Sequence, residues 1–433
     1  MMKNSLIKKS LLILPIAFLL AGCNFKYTYN ISGLVISGGG IDDDEDGIED
    51  SGEYDVKIWV DDKIVELTKS QIGQFVAASG GKYVINATIE PVGEASAASS
   101  MLQDVQDGAD LFCFAQDQLS RLKVAGALAK LSNNTVKSLT EEMGEEAINA
   151  AKVNEDVYAY PITSDNGYFL YYDKRVISDE DAKDVTKILE DCKKAGKTLN
   201  FEARSNGFYA ASYFMATGCY SSWTLNSESG KFESFTDNYN SAAGLEAAKG
   251  LKELDNKTLV AGNSQASKLG SSAAAVVSGI WEYEVADSNL GENLGCAELP
   301  SFHVGEATYH LSSFDGYKLL GVKPQVNVKK ASVCRKIARF LTNEDCQFER
   351  FNKAKWGPTN KAASQKEDVL NHKGLQALAA QHQYAKPQGQ CPGSWFTALA
   401  TTAKAVTSSA TDDQLRSILN NYELGLPELL DSD

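Results

Sequence analysis

The chain has 433 residues, 43% hydrophobic and 23% charged, with a formal net charge of −15. That is apolar material for two or three globular domains. The acidic balance excludes a nucleic-acid partner, whose phosphates demand a basic face, and an extended basic surface lying on anionic lipid.

Lys3, Lys8 and Lys9 precede an apolar run from Leu11 to Ala21, which ends in Leu20-Ala21-Gly22-Cys23. A basic start, a short apolar stretch and small residues before a cut site read as a secretory signal over residues 1–22. The apolar run is too short for a permanent membrane span. Its ending resembles the bacterial lipobox. That resemblance implies cleavage before Cys23, a diacylglycerol on its thiol, and an exported protein held on the outer face of the cell membrane. Each buried methylene of such an anchor adds about 0.8 kcal/mol.

Residues 23–53 then read as a tether. Gly38-Gly39-Gly40 and nine acidic residues between Asp42 and Asp55 leave little to bury, and the like charges extend the chain. Asp42, Asp44, Asp46, Gly47 and Glu53 also match the calcium-loop pattern D-x-D-x-D-G-x5-E, although no hydrophobic helices flank it. Seven cysteines remain beyond Cys23, an odd number with no CxxC pair, and their spacing does not fix a pairing. The four histidines are scattered, and no zinc site is legible.

The body opens with a strand at 56–60, where Val56, Ile58 and Val60 alternate toward one face. A helix over 67–79, a strand over 82–89, a helix over 95–106 and a short buried strand over 110–114 follow. Leu119, Leu122, Ala125 and Leu128 then repeat at helical spacing. A second region begins after Tyr160-Pro161, with a strand at 167–172, helices at 181–195, 208–218 and 242–254, and a strand at 273–278 ending in Gly279-Ile280-Trp281. A returning strand at 316–322, a helix over 331–348 and a last helical region over 395–422 complete the order. Strands alternating with helices predict an α/β fold with mostly parallel sheets, which bind ligands at the carboxyl ends of their strands.

Several landmarks stand in a telling order: Lys57-Ile58-Trp59-Val60, Gly108-Ala109-Asp110-Leu111-Phe112, Tyr158-Ala159-Tyr160-Pro161-Ile162, Leu170-Tyr171-Tyr172-Asp173-Lys174, Gly279-Ile280-Trp281, Ser313-Phe314-Asp315-Gly316 and Trp356-Gly357-Pro358. Over residues 55–433 they resemble the maltose/maltodextrin-binding branch of the extracellular solute-binding proteins of ABC transporters. The resemblance implies a two-lobed periplasmic-binding-protein fold with hinged, discontinuous lobes. The N-lobe would combine 54–163 with 312–366, and the C-lobe 164–311 with 367–433. It also implies a monomeric receptor that captures a carbohydrate, such as a maltodextrin, for ABC permease subunits, with no catalysis and no cofactor.

Carried over residue by residue, the resemblance assigns stacking tryptophans to Trp281 and Trp395, and to Phe114 and Asp117 an aromatic and an acid on the loop after the third strand. It matches Trp59, Asp61, Asp62 and Lys63 to the first strand's loop, where polar side chains grip hydroxyls, and Asp165 or Asn166 to the acid after Tyr-Pro-Ile. Phe208 lies near a further aromatic, and Trp223 and Trp356 read as packing residues. Where the family has Trp and Arg, this chain has Phe114 and Gln118. Two rival readings remain. An exported glycoside hydrolase needs two carboxyls flanking a scissile bond, and no motif selects Asp117 and Asp165 for that work. The same fold binding a non-sugar solute is the other.

Overall fold

The computed structural model describes residues 48–226, 229 and 231–431. The signal, Cys23, and Asp42, Asp44 and Asp46 of the calcium pattern lie outside the described residues.

Strands β1 (Gly52–Val60), β2 (Tyr83–Pro91), β3 (Leu111–Ala115) and β4 (Ala159–Thr163) come from the first part of the chain. The middle supplies β5 (Phe169–Asp173), β6 (Thr198–Asn200), β7 (Val260–Ala261), β8 (Ala273–Ser278) and β9 (Leu294–Ala297). Later come β10 (Phe314–Asp315), β11 (Lys318–Val322) and β12 (Lys386–Pro387). One five-stranded sheet has the order β2-β1-β3-β11-β4, the other β7-β6-β8-β5-β9. In the first, β1 runs parallel to β2 and β3, while β11 runs against β3 and β4. In the second, β6 runs parallel to β7 and β8, while β5 runs against β8 and β9. Each sheet therefore contains one reversed strand, and in each it is the strand that follows a passage from the other lobe.

Parallel neighbours require crossover helices. Helices α1 (Val65–Ala78) and α2 (Glu94–Gln103) link β1, β2 and β3, and α3 (Val185–Ala195) follows β5. Helix α4 (Gly207–Ala216) comes after β6, α5 (Val328–Leu341) and α6 (Glu344–Ala354) after β11. Helix α7 (Lys373–His382) precedes β12, and α8 (Gly393–Ala405) and α9 (Asp412–Gly425) end the chain. Strand β5 shows the two-residue period of a sheet covered on both sides. Phe169 and Tyr171 join the apolar core that also fills the first sheet, while Leu170 and Tyr172 join a second core with Trp395 and Tyr422.

Two elements differ from the sequence expectation. The folded body starts earlier than the 56–60 alternation suggests, because Asp50 is fully buried and anchored. Its carboxylate accepts from Lys336 Nζ (2.9 Å), Ser332 Oγ (2.8 Å) and Tyr83 OH (2.9 Å), and Lys82 lies 3.2 Å away. Burial alone would push this carboxyl up, but those donors outweigh it and hold it well below the usual carboxylate range. Glu53 is in β1, where its carboxylate accepts from Asn86 at 3.0 Å, so no exit helix begins at the last position of the calcium pattern. The helix expected over 331–348 is two helices, because the Asn343 side chain accepts from Cys346 N–H (2.8 Å) and caps α6.

Among the described residues Cys113, Cys192, Cys219, Cys296, Cys334 and Cys346 are free thiols, five of them buried. No helix of the described residues is long and apolar enough to cross a membrane.

Candidate ligand-binding cleft

Segments 164–168 and 312–317 carry the chain between the lobes, and the third passage follows Lys366, which still pairs with Glu344 of α6 (2.7 Å), before α7 packs on β5 and β9. The first two passages and residues 357–360 are tied to one another by Ser164 N–H donating to the Gly357 carbonyl (3.1 Å) and Asn166 N–H donating to the Gly316 carbonyl (3.1 Å). Asp165 braces this hinge. Its carboxylate accepts from Gly357 N–H (2.6 Å) and Thr163 Oγ1 (2.6 Å), with Lys318 Nζ 3.7 Å away, and the side chain is sealed from solvent. The expectation that Asp165 grips a ligand is therefore corrected. Its acceptors are spent on backbone and neighbours that hold the crossings in register.

The lobes meet first beyond the carboxyl end of β1. Asp61 starts a helical turn, and its carboxylate accepts from Lys63 N–H (3.0 Å). Burial raises the Asp61 carboxyl's pKa, with a smaller contribution from neighbouring Asp62 and partial relief from that N–H and from Lys318. Asp62 is exposed at the start of the turn. Lys63 reaches across the lobes and donates to the Trp281 carbonyl oxygen at 2.7 Å.

Trp281 follows β8 in a short helical turn and is half-buried. Its placement depends on Gly279, where any Cβ would lie 2.2 Å from the indole. The Gly279 carbonyl is held in turn by Tyr171 OH at 2.8 Å. Lys318, the first residue of β11 in the other lobe, lies with its ammonium 5.9 Å from the Trp281 ring centroid.

A second meeting point joins the turn after β3 to the segment after β12. Asp117 accepts from Gln118 Nε2 (2.9 Å) and from Gln388 Nε2 (3.0 Å), and burial raises its pKa. Gln388 Oε1 accepts from Asn166 Nδ2 (2.9 Å). Gln390 donates to the Gln116 carbonyl (2.8 Å) and accepts from Ser120 N–H (3.1 Å) and Ser120 Oγ (2.9 Å). Residues 388–390 thus strap one lobe to the other.

Three expected ligand-binding aromatics are corrected. Trp395 is 4% exposed and donates from Nε1 to Tyr422 OH at 2.8 Å, so it belongs to the core. The next residue, Phe396, turns instead toward Phe208 (6.3 Å) and Phe314 (6.0 Å), which stack at 5.2 Å. Phe114, in the doubly covered strand β3, is fully buried against Phe112. Trp59 is buried with its indole N–H spent on Glu90 (2.7 Å), its direct partner on β2. Trp223 and Trp356 are buried as well.

Two residues that sequence reasoning missed lie at the first meeting point. Glu94 opens α2 and Lys318 opens β11; both are buried, at 8% and 5% exposure. Burial raises the Glu94 carboxyl's pKa despite the nearby Lys318 charge. A separate cavity of about 380 Å³ lies against the crossings, lined mainly by apolar residues such as Phe314, Leu375 and Leu378, and it contains none of the expected ligand residues.

Two α/β lobes joined by three crossings, with acids, lysines and a half-buried tryptophan where they meet, define a hinged solute-capturing protein. The chain belongs to the bacterial extracellular solute-binding protein family, whose model matches residues 72–377. A structure solved with acarbose is 24% identical, with a TM-score of 0.75 over 88% of this chain and 100% of that one. The maltodextrin binding protein MalE1 from L. casei BL23, solved without ligand, is 21% identical with a TM-score of 0.72, covering 88% and 100%. A cyclo/maltodextrin-binding protein complexed with maltotetraose is 19% identical with a TM-score of 0.68, covering 87% and 97%. These likenesses show the shared fold. Among curated proteins no match was found.

Proposed function

We propose that the protein captures a carbohydrate, an oligosaccharide of the maltodextrin type, between its lobes and delivers it to an ABC importer, without catalysis. It works from the outer face of the cell membrane, anchored by lipid on Cys23. The observation that carries this reading is Trp281 at the lobe junction, a half-buried indole 5.9 Å from the Lys318 ammonium, with its backbone carbonyl accepting from Lys63, both lysines from the other lobe.

A sugar ring has apolar C–H faces and a hydroxylated edge, so a good site offers an aromatic plane beside carboxylates and ammonium groups. Trp281 supplies the plane, Asp61, Asp62, Lys63 and Asp117 the polar groups, and Phe208 with Phe396 a further aromatic wall. A micromolar complex needs only about −8 kcal/mol. Hydrogen bonds to charged groups contribute about 1.5–3 kcal/mol each, so a few contacts and one stacked ring suffice. Closure about the braced hinge converts capture into a shape that a permease reads.

The test is a thermal-shift screen with mono- and oligosaccharides, paired with chromatography of the sugar after incubation. A ligand that binds only the native state raises its melting temperature. The reading expects a shift with maltooligosaccharides and their recovery intact. No shift across the panel overturns it, and shortened products would make the protein a hydrolase.

A further inference from the structure

We infer that the cavity against the crossings is a second binding site, for a small neutral molecule with an apolar body and a hydroxyl head, and that its occupant holds the two lobes together. At about 380 Å³ it falls toward the lower end of the range for small-molecule pockets.

Its walls come from both lobes and from the hinge. Ser164 and residues 313–315 belong to the first two passages. Gly357, Pro358 and Ser364 belong to the first lobe, where the helical turn Lys361–Ser364 packs on α6. Opposite stand Leu375, Leu378 and His382 of α7, which packs on β5 and β9 of the second lobe. Rotating one lobe against the other therefore moves α7 relative to 357–364 and reshapes the space between them.

The lining selects the chemical class. Phe314, Pro358, Val369, Leu375 and Leu378 suit an apolar body. Asp315 and His382, the only ionisable lining groups among the described residues, pair with each other at 2.7 Å. A charged ligand would thus find no unpaired counter-charge, which favours a neutral one. The crossings supply hydroxyls. Ser313 is fully buried, and its Oγ has no hydrogen-bond partner among the described residues. Ser164 Oγ reaches the Pro358 carbonyl only at 3.4 Å, long for a hydroxyl donor. Buried polar groups are nearly always satisfied, because an unmet one forfeits its hydration for nothing. A ligand hydroxyl, which donates and accepts at once, meets that need.

The lobes touch in this structure, through Lys63 on the Trp281 carbonyl (2.7 Å) and Gln390 on the Gln116 carbonyl (2.8 Å). The cavity has its present shape in that arrangement, so an occupant fitted to it favours touching lobes over parted ones. By linkage the occupant tightens capture between the lobes, and a captured ligand tightens the occupant by the same factor. Only this effect on sugar capture rests on the carbohydrate reading.

The probe is benzyl alcohol, with benzylamine and benzoate as charged controls of similar size. Ligand-observed NMR titration reads its binding to wild type, to Ser313→Ala and to Ala379→Leu, which narrows the cavity from α7. Small-angle X-ray scattering reads the radius of gyration with and without the alcohol, and calorimetry reads maltotriose affinity under the same conditions. Benzyl alcohol should bind wild type several-fold tighter than either charged control. Ser313→Ala should weaken it by about fivefold, the loss of one neutral hydrogen bond, and Ala379→Leu should abolish it. With the alcohol bound, wild type should have a smaller radius of gyration and hold maltotriose several-fold tighter. No binding, or binding that neither variant weakens, overturns the site and leaves the carbohydrate reading standing. Charged controls that bind as tightly overturn the ligand class. Binding at the site with the radius and the maltotriose affinity both unchanged overturns the coupling. Wild type that binds no maltotriose overturns the carbohydrate reading alone, and the radius of gyration then decides the coupling.

Discussion

Gln390→Ala should open the protein in the absence of ligand. Its side chain makes three hydrogen bonds across the lobes: to the Gln116 carbonyl at 2.8 Å, from Ser120 N–H at 3.1 Å and from Ser120 Oγ at 2.9 Å. These groups regain water when the lobes part, so truncation leaves no stranded polar atom in the open form. At about 1 kcal/mol net for each neutral bond, the closed form loses up to about 3 kcal/mol relative to the open one. That is a shift of roughly a hundredfold in the closed-to-open ratio. Apparent ligand affinity falls with the closed, binding-competent fraction, by at most the same factor. Small-angle X-ray scattering of the ligand-free protein, with titration calorimetry on the same samples, reads both effects. The variant should have a larger radius of gyration than wild type and weaker sugar binding. An unchanged radius together with unchanged affinity would refute the idea that residues 388–390 clasp the lobes.

Other substitutions separate core from cleft. Trp395→Ala should destabilise the fold by about 3–5 kcal/mol in denaturant melts, the cost of emptying a buried aromatic site, whereas Phe396→Ala should cost less stability and weaken sugar binding. Gly279→Ala places a Cβ 2.2 Å from the Trp281 ring, so the indole must move; calorimetry should show weakened binding while circular dichroism stays that of wild type. His372 caps α7 by accepting from Leu375 N–H (3.3 Å), and burial pushes its imidazole from an ordinary 6.5 down to about 4. A depressed folded-state pKa means its contribution is present above pH 6.5 and is lost as pH falls toward 4. Unfolding of His372→Asn, which keeps a capping side chain that does not titrate, should therefore vary less with pH across that window than wild type. Parallel pH curves for the two proteins would contradict the assignment.

Much of the scaffold was legible because local pattern and tertiary demand agree. Strand 273–278 stands as expected, since a run of small and β-branched residues suits a strand covered on both faces. Trp281 was marked by Gly279, whose missing side chain makes room for the indole. Trp395 could have been placed in the core from its helical phase alone. It shares a buried stripe with Leu399, Thr402 and Ala403, which leaves Phe396 about 100° around the helix. Phe114 carries no such signal, because β3 is buried on both faces and alternation vanishes. Asp165, Glu94 and Lys318 were beyond local reading. Their partners come from segments that only the hinge topology brings together, and nothing within a few residues of each foretells what it meets.

The most direct test of the central claim is a crystal structure of the protein with maltotetraose. The account expects a sugar ring lying against the Trp281 indole, between the lobes, with hydroxyls within hydrogen-bonding distance of Asp61, Lys63 or Asp117. Sugar bound away from Trp281, or an interlobe space that stays shut and empty at saturating maltotetraose, would contradict it.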